Sequence, residues 1–111
     1  MVPESSRAGG APTYRFRVSD ALDVPLRGCL LRLRLLEGSP KVGDLAPGQE
    51  IRLRAPDGAE RTVRIKALSV TGGAVTQERL ERKRELDIVI SDADCRADGR
   101  AVEIGWEVVG R

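Results

Sequence analysis

Apolar and polar residues alternate one for one along most of the chain from Tyr14 onward. Tyr14, Phe16 and Val18 interleave with Arg15, Arg17 and Ser19; Cys29, Leu31, Leu33 and Leu35 interleave with Leu30, Arg32 and Arg34. Successive side chains of a strand point to opposite faces, so a period of two buries one set and wets the other. Ile51 and Leu53 alternate with Arg52 and Arg54, and Leu86, Ile88 and Ile90 with Asp87 and Val89. Val102, Ile104, Trp106 and Val108 predict the last strand on the same rule. Between Thr62 and Val70 the inward set is Val63, Ile65 and Ala67, and the phase then moves by one at Leu68 and Val70. A one-residue change of phase predicts a bulge.

Turn chemistry separates these segments. Pro25 and Gly28 bracket the first loop, and Gly38 and Pro40 end the second strand. Gly43-Asp44 and Pro47-Gly48 give two turn signals in one short connection, and Pro56-Asp57-Gly58 a third turn. Thr71-Gly72-Gly73 breaks the fourth strand. Thr76 to Glu85 is dense in charge with Leu80 as its only large apolar residue, so it reads as a solvated loop or a single helical turn. Glu78 and Arg82 are spaced for an i,i+4 ion pair. Asp92 to Gly99 reads as a polar turn. Six short strands with turns between them predict an all-β barrel or sandwich. Residues 1–13, rich in Gly, Pro and Ser, read as a disordered tail, leaving 14–111 as a single domain.

Composition narrows the chemistry. Aromatic residues make up 3% of the chain, so the interior must be aliphatic. Histidine is absent, which removes the commonest general base. The two cysteines, Cys29 and Cys95, form no CxxC motif and cannot supply a four-ligand zinc site. Cys29 falls on an inward position and reads as a core residue; Cys95 sits in the polar turn and reads as exposed. No apolar run approaches a membrane span, and the first twelve residues lack the order of a signal peptide. The expected compartment is the cytoplasm, with both thiols reduced. Asp92, Asp94 and Asp98 have part of the spacing of a calcium loop, but Arg96 interrupts them and the twelfth-position Glu is missing. They read as a solvated turn. Trp106, between Ile104 and Val108, reads as a core plug, the alternative being an exposed partner site.

Net charge is +2, too small to imply a polyanion partner. The outward positions are nonetheless rich in arginine: Arg15, Arg17, Arg32, Arg34, Arg52, Arg54 and Arg64. If their strands are neighbours they could form a phosphate-contacting surface. The alternative is a charged exterior that keeps the fold soluble.

The order of the first elements resembles domain 2 of the elongation factor Tu family of translation GTPases. The resemblance lies in Phe16-Arg17-Val18-Ser19-Asp20-Ala21, Arg27-Gly28, the strand Leu30 to Leu36, and Glu37-Gly38-Ser39-Pro40-Lys41-Val42-Gly43-Asp44. It implies a six-stranded antiparallel β-barrel standing alone. The chain departs from that pattern at Leu45-Ala46-Pro47-Gly48-Gln49, which intervene before the next strand. Of the family's pocket for the aminoacylated end of tRNA only Glu85 finds a match, so that pocket is not carried over. No phosphate loop occurs, and nucleotide hydrolysis is not expected of this chain alone. The expected function is a non-catalytic binding module for a protein partner, with an RNA-contacting module as the alternative. No cofactor, bound nucleotide or membrane role is expected.

Overall fold

The computed structural model describes residues 14–69 and 76–110. Six strands follow one another: β1 (Tyr14–Val24), β2 (Gly28–Gly38), β3 (Glu50–Arg54), β4 (Glu60–Ser69), β5 (Glu85–Ile90) and β6 (Glu107–Gly110). They close into a barrel in the order β1-β2-β5-β4-β3-β6, with every pair antiparallel. The expected six-stranded antiparallel barrel is therefore the fold. The residues expected as a disordered tail, the Thr71-Gly72-Gly73 break and Val70 lie outside the described residues.

The interior follows from parity. Phe16, Val18, Leu31, Leu33, Leu53, Ile65, Ile88, Ile90 and Val108 are fully buried. Each such apolar side chain contributes about 1.5–3 kcal/mol when taken from water. Tyr14 meets Phe16 edge-on, with ring centroids 5.6 Å apart. Trp106 is buried, as a core plug should be.

Three register shifts adjust the barrel. Two fall in the β1–β2 pairing, between Arg15 and Phe16 and between Val18 and Asp20, and one in β4 between Ile65 and Ala67. The last is the predicted change of phase, and it corrects one assignment. Ala67 pairs with the outward Val89 and is only half-buried, while Leu68 pairs with Ile88 and packs against the core. The bulge sits where Ile65 changes partners: its N–H donates to Gln49 (2.9 Å) and its carbonyl accepts from Gly48 (2.8 Å), beyond the end of β3. The five-residue departure from the elongation factor pattern thus extends the β3–β4 pairing, and its Leu45, at the end of a 3-10 turn (Val42–Leu45), is a fully buried plug.

Three further expectations are corrected. The charged segment forms a packed two-turn helix, α1 (Gln77–Lys83), where a solvated loop or a single helical turn was expected. Thr76 caps it, Leu80 is buried in the core, and Gln77 ties it to the β2–β3 connection through the Val42 N–H and the Pro40 carbonyl. One apolar side chain suffices because the amide of Gln77 supplies the remaining anchor. The predicted pair of Glu78 and Arg82 forms at 3.4 Å. The last strand is shorter than expected: Trp106 N–H donates to the Glu103 carbonyl in a turn, Gly105 has φ +100°, and Ile104 is exposed. The turn breaks the alternation that Val102 begins and Val108 resumes.

The cysteines give the third correction. Ser91 caps a one-turn helix, α2 (Asp92–Cys95), by accepting from Asp94 N–H. That turn carries Cys95 back beneath the first residues of β2. Cys95 is buried, and its sulfur is bonded to that of Cys29, with Cα atoms 6.2 Å apart. The spacing lies within the ordinary range for a disulfide. The thiols are not free.

Candidate functional site on the barrel exterior

The seven arginines do point outward, but they do not form one positive surface. Arg15 meets Glu107 at 2.7 Å and Glu37 at 3.4 Å. Arg32 donates to both oxygens of Asp87, at 3.0 and 3.2 Å. Arg34 reaches Glu85, Arg52 and Arg54 share Glu60, and Arg64 reaches Glu50. These partners come from the strand alongside, in the same row or the next, so six of the seven cations are cancelled across neighbouring strands. The carboxylate partners of Arg15 and Arg32 hold their guanidinium groups above the ordinary arginine range. Arg17 alone of the seven faces outward with no carboxylate partner among the described residues.

An apolar row interrupts this ion-paired exterior. Leu22 pairs with Leu30, Leu30 with Val89, and Val89 with Ala67. The four side chains lie in register across β1, β2, β5 and β4. Leu22 is 52% exposed, and Leu30, Val89 and Ala67 are half-buried. On one side the next row is Asp20, Arg32 and Asp87. On the other side stand Val24 and Gly28, the closing pair of the β1–β2 hairpin.

The hairpin tip continues the apolar surface. Arg27 N–H donates to the Val24 carbonyl across a four-residue turn, with Pro25 second and Leu26 third. Leu26 has φ +67°, a left-handed conformation that this position ordinarily gives to Gly or Asn. Its side chain is fully exposed. A strained backbone residue that buries nothing is the kind of feature that collects at functional sites.

Beside the tip an open groove of about 560 Å³ is lined by residues of the hairpin together with Lys66, Asp92 and Arg96. Arg96 ties up both carboxylates there, meeting Asp92 at 2.9 Å and also Asp23. Lys66 Nζ donates only to the Arg27 carbonyl, at 2.9 Å, and the Arg27 guanidinium has no partner among the described residues. The groove thus holds three cations against two carboxylates, a net positive charge at the rim of the apolar row.

Below the groove, the end of α2 and the loop after it are held by one side chain. Arg61 donates to the carbonyls of Asp94, Cys95, Ala97 and Arg100 at 2.8–3.1 Å. Its guanidinium lies 5.0 Å from the centre of the Trp106 ring, and that of Arg100 lies 5.2 Å from it. The signal was parity: Arg61 shares the inward phase of Val63 and Ile65 and pairs with buried Leu53.

Two of the three aspartates of the polar turn have protein partners. Asp92 binds Arg96, and Asp94 accepts from the Arg64 N–H at 3.1 Å. Among the described residues no three Cys, Asp or Glu side chains gather as metal ligands, and no helix is long and apolar enough to cross a membrane. No protein-family model matches the chain, and no curated protein matches it.

Proposed function

We propose that the barrel is a non-catalytic module that binds a protein partner through the outer row Leu22–Leu30–Val89–Ala67 and the β1–β2 tip. The observation that carries this reading is that row: four apolar side chains in register across four strands, beside an exterior rich in cross-strand ion pairs. Exposed apolar surface rimmed by polar residues marks interaction sites. The fully exposed Leu26 at the adjoining tip extends it. The resemblance to domain 2 of the elongation factor Tu family belongs to the same proposal, at the level of a barrel that acts by docking. The RNA alternative relied on the outward arginines, and their cross-strand carboxylates weaken the field those residues would offer to phosphates.

The cytoplasmic expectation rested on two reduced thiols. The Cys29–Cys95 bond withdraws that ground, because such bonds persist in oxidising compartments. The reading therefore has the module working where the bond is kept.

The test compares two double variants in affinity capture. Leu22→Glu with Leu30→Glu should abolish recovery of the partner, and Arg52→Glu with Arg54→Glu should leave it intact. Loss with the arginine pair alone would transfer the function to the charged face.

A further inference from the structure

We infer that the segment docking on the outer row is acidic as well as apolar: two or three large aliphatic side chains for the row, with carboxylates that reach Arg27 and Lys66. This inference rests on the protein-binding reading and adds the chemistry of the partner.

The two carboxylates of the groove beside the tip, Asp23 and Asp92, share the single guanidinium of Arg96. Arg27 and Lys66 stand at the same rim with no carboxylate partner among the described residues, so the groove as a whole is positive, with three cations against two carboxylates. The placement follows from register. Lys66 immediately precedes Ala67 at the end of the row, and Arg27 immediately precedes Gly28, which pairs with Val24 one outward step beyond Leu22 and Leu30. A ligand lying along the row therefore meets two free cations on its tip side. On the opposite side it meets Arg32 already bound by Asp87, with Asp20 beside them. That side repels further carboxylate, so the field fixes which way round an acidic segment lies.

A second copy of the chain fits poorly, because its own exposed apolar row would bring Arg27 and Lys66 with it, cation against cation.

The experiment uses the full oxidised chain, labelled with ¹⁵N and methyl ¹³C, and two synthetic twelve-residue peptides. The peptides share the same leucine positions; one carries Glu and the other Lys at the remaining charged positions. The inference expects the Glu peptide to shift the methyl signals of Leu22, Leu30, Val89 and Ala67 and the amides of Arg27 and Lys66. Its affinity should fall with added salt and drop about tenfold on Arg27→Glu with Lys66→Glu. The spectrum of that double variant reports whether it remains folded, and Arg27→Gln with Lys66→Gln gives a milder second variant that should lose part of the same affinity.

Binding of the Lys peptide to the same row, equally or better, would overturn the acidic assignment and leave the protein-binding reading standing. Shifts at the arginine faces with the row silent would overturn both. Silence with both peptides would overturn the acidic assignment. Capture by vesicles of anionic phospholipid, through the same residues and in preference to the Glu peptide, would replace a protein partner with a membrane surface. Row shifts that grow with protein concentration alone would assign the surface to a second copy.

Discussion

Arg61 lies over the ring of Trp106 at 5.0 Å, and from that position its guanidinium serves four backbone carbonyls, two at the end of α2 and two in the loop that follows it. A planar fork with donors on both edges can hold several carbonyls at once, and a lysine cannot. The relationship fixes the segment that carries Cys95 and Arg96, and so supports the base of the groove. Arg61→Met should cost about 2–4 kcal/mol, because the carbonyls lose charged donors. Arg61→Lys should recover less than half of that. Urea titration followed by Trp106 fluorescence checks both, since Trp106 is the only tryptophan.

The Cys29–Cys95 bond closes a loop across a sequence separation of 66, which corresponds to about 4 kcal/mol of stabilisation in the chain-entropy account. A dithiol reductant should therefore lower the urea midpoint of the wild type. It should leave that of Cys29→Ala with Cys95→Ala unchanged. Equal midpoints for the wild type with and without reductant would mean that the bond contributes nothing.

Leu26→Asn should stabilise the fold by up to about 1 kcal/mol, because Asn tolerates the left-handed conformation that Leu26 holds without burying its side chain. The same change should weaken partner binding. Stability gained and binding lost together are the mark of a residue kept for contact. Thermal denaturation beside a binding titration measures the two effects.

Gly28 begins β2 at φ +122°, and a Cβ built there would lie 2.0 Å from the Ile90 carbonyl oxygen. Backbone cannot yield as a flexible side chain can. Gly28→Ala should destabilise the domain by more than about 3 kcal/mol, combining strain with overpacking. Gly48→Ala, also at positive φ but with open space around it, should cost less. The pair of denaturation curves separates conformational strain from the clash.

Burial raises the Tyr14 hydroxyl above its ordinary pKa of 10.0, and the nearby Asp44 carboxylate adds to the effect. The unfolded chain then ionises first as the pH climbs. This contribution to stability is complete below pH 10 and is lost as the pH rises from there through the higher folded pKa. The wild type should lose stability in that window, and Tyr14→Phe should lose less. Tyrosinate absorbance reports the ionisation site-specifically, because Tyr14 is the only tyrosine.

Local patterns in the sequence reached the fold further than they reached the site. Alternation placed Phe16, Leu31, Leu33, Leu53 and Ile88 in the interior, and the phase change at Leu68 marked the bulge that turns Ala67 outward. These are properties of a single segment. The outer row was hidden because Leu22, Leu30, Val89 and Ala67 come from four strands, and only the pairing register aligns them. The arginine faces misled for the same reason: Arg32 meets Asp87 across 55 positions of sequence. Cys95 looked exposed because its neighbours Asp94 and Arg96 are polar, yet one turn of α2 is enough to point it inward. Arg61 was legible in principle, as a charge on an inward position, and such a charge requires partners.

The central claim is that the outer row, and not the arginine faces, is the working surface. Site-specific photo-crosslinking tests it most directly, with a photoreactive side chain placed at position 22 in one protein and at position 52 in another. The account predicts a discrete protein adduct from position 22 and none from position 52. An adduct to protein or RNA from position 52, with position 22 silent, would contradict it.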